Sequence, residues 1–191
     1  MHSEHYHTGA LALGASALTI GDVVRVARDS APVQPLPESA PPGTDLTARL
    51  ERIERSAAWV RQAMQEVERA DAEGRPPRAI YGVNTGFGDN AGRAIFRSPQ
   101  QAAQLSRSLL LSHTSGTGPY LPPDAVRASM LIRANTLAQG YSGVRRAVIN
   151  TLIAMLNRGV LPAMPAQGSL GASGDLAPLA HLALVLSAPL P

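Results

Sequence analysis

The chain has 191 residues, enough for one domain or part of a larger one. Hydrophobic residues make up 45% and aromatic residues only 4%, so the core must be aliphatic. Cysteine is absent, which excludes a disulfide framework and a thiolate metal site and fits a reducing cytoplasm. The net charge of +3 rests on arginine alone, and after Asn90 the only acids are Asp124 and Asp175. These arginines are scattered and carry no interleaved aromatic rings. They therefore read as solvated faces, or as partners of acidic surfaces on another subunit, and not as a nucleic-acid surface. No apolar run is long enough to cross a membrane.

Residues 1–18 read as a flexible tail. Its apolar run, Gly9 to Ile20, lacks the positively charged start of a secretory signal. His2, His5 and His7 have no carboxylate or cysteine pattern to complete a site, so no metal is expected. Thr19 can cap a short helix through Val23, Val24, Val26 and Ala27. Residues 31–43 carry Pro32, Pro35, Pro37, Pro41 and Pro42 and read as an extended linker. An amphipathic helix follows, because Leu46, Leu50, Ile53, Ala57, Val60, Met64 and Val67 alternate spacings of four and three. Its stripe suits core packing first and helix association second.

Gly74-Arg75-Pro76-Pro77 ends that helix, and Ala79 to Gly92 reads AIYGVNTGFGDNAG, an ordered but irregular loop. Its G-x-G-x-x-A, at Gly86, Gly88 and Ala91, is a weak dinucleotide signal. The acid that should follow by about 20 residues is missing, so that reading is rejected. Residues 100–112 form a helix that runs into Ser112-His113-Thr114-Ser115-Gly116. A histidine beside an apolar run is ordinarily a satisfied core residue. Pro122 and Pro123 open a helix to about Gln139 with Met130, Leu131, Ala134, Leu137 and Ala138 on its apolar face. After Gly140-Tyr141-Ser142-Gly143 another helix, with Val144, Val148, Leu152 and Leu156, ends at Gly159. Val160 to Pro165 then runs in extended form to the last motif.

That motif is GSLGASGDLAPLAH, Gly168 to His181. Leu176 to Leu186 is almost wholly apolar and reads as a buried helix, with Asp175 in its first turn at the positive end of the dipole. Ala172-Ser173-Gly174 is thus presented at a helix start, on a loop made pliable by Gly168 and Gly171. A nucleophile elbow is excluded because Asp175 stands where its last glycine should be, and a phosphate loop because the chain has no lysine.

Taken whole, GSLGASGDLAPLAH resembles the signature of the histidine and aromatic amino acid ammonia-lyases. YGVNTGFG resembles the second signature of that family, and LLLSHTSGTG its substrate-selecting stretch; RANTLAQGYSGVR and LNRGVLPAMP match as well. The resemblance runs from about Thr19 to the end. It departs at Ser106 and Ser108, where the family has Gln and Asn, and at Asp89-Asn90, where a basic and an apolar residue are usual. It also stops early, since the family's chains are much longer.

The resemblance implies a mainly α fold, the N-terminal portion of an ammonia-lyase-like helical fold with irregular active-site loops, incomplete without the later central helix bundle. Residues 19–191 would be its electrophile-bearing part. It implies that Ala172, Ser173 and Gly174 cyclise, with loss of two waters, to methylidene-imidazolone (MIO), a built-in electrophile; no metal is needed. Gly174 leaves its backbone nitrogen unhindered for attack on the Ala172 carbonyl, and Ser173 supplies the hydroxyl that leaves. Tyr81 would take the substrate's β-proton, a role that calls for cationic or dipolar neighbours because a phenol ordinarily titrates at about 10. Ser112 and His113 would bind substrate. Ser-His at this place is found in members that act on histidine, which makes L-histidine, eliminated to urocanate, the first substrate. Phenylalanine or tyrosine ammonia-lyase and aminomutase are the enzymatic alternatives; a truncated, non-catalytic chain, or a subunit completing another chain's site, is the third. Expected partners are a small aromatic amino acid and either further copies, a tetramer in the family, or a C-terminal partner chain.

Overall fold

The computed structural model describes residues 9–14, 17–92, 99–171 and 173–187. His2, His5 and His7, Ala15-Ser16 and Ala172 lie outside them. The described residues are mainly helical and fall into two compact units. One contains residues up to Ser56 together with Leu121–Pro162; the other contains Ala57–Tyr120 and the residues from Ala163 onward. The long helix α2 (Asp45–Ala72) supplies its first part to one and its second part to the other. Among the described residues no helix is long and apolar enough to cross a membrane.

The first unit holds β1 (Leu11–Ala12), α1 (Ile20–Arg28), β2 (Val33–Gln34), the start of α2, α4 (Pro123–Leu137) and α5 (Arg146–Asn157). Thr19 caps α1 as expected. Its hydroxyl accepts from Asp22 N at 3.1 Å and the Asp22 carboxylate accepts from Thr19 N at 3.1 Å, a reciprocal capping box. The core joins Val26 of α1, Leu50 and Ile53 of α2, Met130, Leu131 and Ala134 of α4, and Ile149, Leu152, Ile153 and Leu156 of α5. Pro122 and Pro123 open α4 as expected. On α5 the buried face is Ile149-Leu152-Ile153-Leu156; Val148 lies beside that face and is only half-buried.

Two expectations are corrected here. Within the stretch read as a tail, Leu11–Ala12 pair in parallel with Val33–Gln34, and Leu13 is buried. The Pro-rich stretch is extended but docked, because two asparagines of α5 act as strand partners. Val33 N donates to Asn157 Oδ1 at 2.9 Å and Asn157 Nδ2 donates to Val33 O at 2.7 Å. Asn150 repeats the pair on Leu36, at 2.8 and 3.0 Å. Composition announces the prolines but not the asparagine partners, which come from a helix more than a hundred residues later.

Two arginines depart from the expectation of solvated faces. Arg127 is buried, and its guanidinium donates to Val26 O and Leu156 O, both at 3.0 Å. Arg49 is buried and donates to Leu13 O at 3.0 Å and to Gly14 O. Each guanidinium donates to backbone carbonyls at a helix end or just after a short strand, which makes its own burial tolerable.

The second unit holds the later part of α2, α3 (Pro99–His113), β3 (Thr117–Tyr120), β4 (Pro165–Gln167) and α6 (Leu176–Leu186). On α2 Ala57 and Val67 of the stripe read from sequence are buried together with Ala63 and Ala70, while Val60 and Met64 are half-buried. α3 packs along α6, and β3 pairs antiparallel with β4, Thr117 opposite Gln167 and Tyr120 opposite Pro165.

Candidate active site

The loop after α2 is built around two polar side chains. Asn84 and Thr85 are buried. Asn84 Nδ2 donates to Arg78 O at 2.8 Å while Ile80 N donates to Asn84 Oδ1 at 2.7 Å, so one amide ties both strands of the turn. Gly82 N donates to Thr85 Oγ1 at 3.2 Å, and that hydroxyl donates to Gly86 O at 2.9 Å. These side chains satisfy backbone groups at Arg78, Ile80, Gly82 and Gly86. Tyr81 stands at the tip, 66% exposed. Its ring meets Phe87 edge-on at 6.0 Å, and Phe87 meets His113 edge-on at 5.4 Å.

His113 closes the last turn of α3. Its Nδ1 lies 2.7 Å from Leu109 O and 3.0 Å from Ser112 Oγ. A carbonyl only accepts, so Nδ1 carries a proton and donates it to Leu109 O. Ser112 donates its hydroxyl to Leu109 O at 2.8 Å. Its hydroxyl is therefore spent on the helix end and on the imidazole, and Ser112 does not line the cavity that His113 lines.

The strand that leads to the last motif is fixed by glycine contacts. A Cβ on Gly168 would sit 2.7 Å from Gly116 Cα, and one on Gly116 would sit 2.8 Å from Pro165 Cβ. Gly168 itself has φ +135°, a conformation that side chains rarely adopt. The segment after His113 and the segment before the Ala-Ser-Gly string thus lie backbone against backbone. Gly171 at φ +97° and Gly174 at φ +69° continue the turn. Ser173 is exposed, and its Oγ accepts from Asp175 N at 3.2 Å.

α6 starts at Leu176, with Asp175 as the N-cap and not within the first turn as expected. The expectation of a buried helix is also corrected. Ala177, Ala180 and Leu182 are buried, while Leu176 and Val185 are 44% and 41% exposed. The helix is apolar all round, but its neighbours among the described residues cover only part of it. His181 Nε2 is buried without a hydrogen-bond partner among the described residues.

These elements enclose a cavity of about 350 Å³. Gly82 and Phe87 come from the tyrosine loop, Ser106 and His113 from α3, and Leu176 and Leu179 from α6. The walls are apolar apart from Thr85, Ser106 and His113. Such a space suits a flat ring with one hydrogen-bonding edge. Tyr81, Ser173 and Gly174 do not line it; each belongs to a segment that adjoins a lining residue, Gly82 or Leu176. Sequence reasoning missed Phe87 and treated Ser106 only as a departure. The signal for Ser106 was its spacing, seven residues before His113 and so on the same helix face.

Residues 18–188 match the family model for aromatic amino acid lyase. The chain is similar to the histidine ammonia-lyase of Gloeobacter violaceus, 46% identical over 180 residues, covering 94% of this chain and 31% of that protein. Among solved structures it is similar to a ligand-bound tyrosine aminomutase mutant, with a TM-score of 0.67 and 30% identity over 91% of this chain and 28% of the other. It is also similar to histidine ammonia-lyase from Trypanosoma cruzi, with a TM-score of 0.65 and 26% identity over 92% and 29%. The chain therefore spans about a third of the length of the relatives it matches, and across that span it belongs to the aromatic amino acid lyase family.

Proposed function

We propose that this chain is the electrophile-bearing part of an ammonia-lyase acting on an aromatic L-amino acid, with L-histidine as substrate and urocanate as product. One observation carries the reading. The tyrosine loop, the Ser-His turn and the helix that follows Ala172-Ser173-Gly174 all contribute walls to one apolar cavity. The identity of 46% to a histidine ammonia-lyase supports the choice of substrate.

Ala172, Ser173 and Gly174 would supply the atoms of methylidene-imidazolone, which when formed offers an electrophile to the substrate amine. The described residues around it fit that chemistry. Gly174 has a positive φ and no side chain beside its nitrogen, and the Ser173 hydroxyl is exposed. Tyr81 carries its phenol at an exposed tip over a base held by Asn84, so its oxygen can reach a β-carbon and take the proton. His113 lines the cavity with its ring held by Leu109 O, placed to bond the ring or the amino-acid head of the substrate. The leucines and alanines of α3 and α6 keep water from the ring's face.

The intact mass of the purified chain tests this. A mass two waters below the calculated value, mapped to the peptide with Ala172 to Gly174, is expected; Ser173→Ala, which lacks the leaving hydroxyl, should keep its full mass. An unmodified wild-type chain would overturn the reading for this chain alone. Urocanate should then form only when the remaining two-thirds of the lyase is supplied, as further sequence or as a partner chain in a tetramer. An aminomutase is the second reading, favoured by the similarity to a tyrosine aminomutase; a β-amino acid among the products would select it.

A further inference from the structure

A larger cavity, about 410 Å³, lies along the last turns of α2 and the segment that returns from it. The chain reverses at Gly74, φ +69°, with Arg75 N donating to Ala70 O at 2.8 Å, and runs back beside the helix to Ile80. Asn84, buried, holds both Arg78 O and Ile80 N, so the returning wall is fixed in place. One wall is apolar, made by Trp59, Val67 and Ile80 among others. Trp59 is 49% exposed, unusual for the single tryptophan of a chain with few aromatic rings.

The rim is cationic. Arg69, Arg75 and Arg78 all line the cavity, with Glu66 as the one acid among them. Arg75 is occupied, its Nε donating to Glu73 at 2.8 Å. Arg69 and Arg78 make no ion pair among the described residues. Two available guanidiniums against one carboxylate leave one positive charge, which matches a monoanion and disfavours a dicarboxylate or a polyphosphate. A guanidinium fork fits the two oxygens of a carboxylate, and an exposed indole beside an apolar wall fits a flat ring.

We propose that this cleft is a binding site for a small aromatic monocarboxylate, separate from the cavity beside His113. It stands whether or not the catalytic reading above is right. Ile80, on its wall, precedes Tyr81, so an occupant bears on the fixed base of the tyrosine loop.

Trp59 makes the site readable, since no other tryptophan contributes to the signal. The probe is 3-phenylpropanoate, titrated into the full chain while Trp59 fluorescence is followed; 3-phenylpropanamide is its neutral match. A saturable change with Kd below about 1 mM is expected, and the amide should bind at least about tenfold more weakly. Arg69→Gln and Arg78→Gln should each weaken the acid by about fivefold or more and leave the amide unchanged. Both arginines are exposed, so neither variant should disturb folding, and circular dichroism checks this. Equal binding of acid and amide, no saturation in the millimolar range, or full affinity in both arginine variants would overturn the proposal.

Discussion

The Pro-rich stretch of the first unit and the tyrosine loop of the second are both irregular, and both are held by asparagine amides, yet to opposite ends. Asn150 and Asn157 reach from α5 to Leu36 and Val33, so a distant helix supplies the partners a sheet would have given. The segment gains a fixed position and buries Val33 and Leu36. Among the described residues the Asn84 side chain bonds to Arg78 and Ile80, a few residues before it. It fixes the shape of its own loop and leaves Tyr81 projecting. A long-range clamp makes scaffold, and a local clamp makes a rigid base with a free tip. The second unit carries this further at Gly116 and Gly168, where backbone meets backbone with no side chain at all.

The comparison can be broken most severely at that contact. Gly168→Ala must place a methyl 2.7 Å from Gly116 Cα in a backbone conformation that favours glycine. A loss of about 3 kcal/mol or more is expected, seen as a large fall in melting temperature. Next in size is Asn84→Ala, which removes a buried amide and both of its part-buried bonds, to Arg78 O and Ile80 N, and should cost about 1–2 kcal/mol. Its hydrogen exchange should rise at Ile80 while Val33 and Leu36 stay protected. Asn157→Ala tests the other side: exchange should rise at Val33 and not at Ile80, with a loss of about 1 kcal/mol because water can replace a part-exposed partner. Exchange that rises everywhere in either variant would show that the two clamps are one cooperative system. The smallest effect is expected at His181, whose Nε2 is buried and unbonded among the described residues. His181→Leu should raise stability by up to about 1 kcal/mol in chemical denaturation of this chain.

The helices were legible because their apolar spacing is a local property of the sequence. α2 shows its stripe from Leu50 to Val67, and α4 and α6 begin where proline and the Gly-Asp step put them. The short strands were not legible. Thr117–Tyr120 contains glycine and proline, which have low strand propensity, and its pairing with Pro165–Gln167 is decided by glycine contacts across nearly fifty residues. The asparagine clamps were hidden for the same reason, since a side chain that serves as a strand partner has no periodic signature. Of the candidate site, the three strings could be picked out only by resemblance. His113 reads as a core residue on its own, and the hydrogen bond from Nδ1 to Leu109 O gives half of that reading its due. Its placement on a cavity wall with Phe87 and Ser106 depends on how α3, α6 and the tyrosine loop pack, which no local pattern encodes.

The approach of Gly116 to Gly168 also limits how this molecule can change over evolutionary time. Two positions that admit no side chain offer selection nothing to adjust: any substitution is lost before it can alter binding. The joint between the Ser-His turn and the Ala-Ser-Gly string is therefore closed to gradual refinement. New preferences for one ring over another must come through the cavity wall, and Ser106, exposed at its edge, is the position most open to that drift.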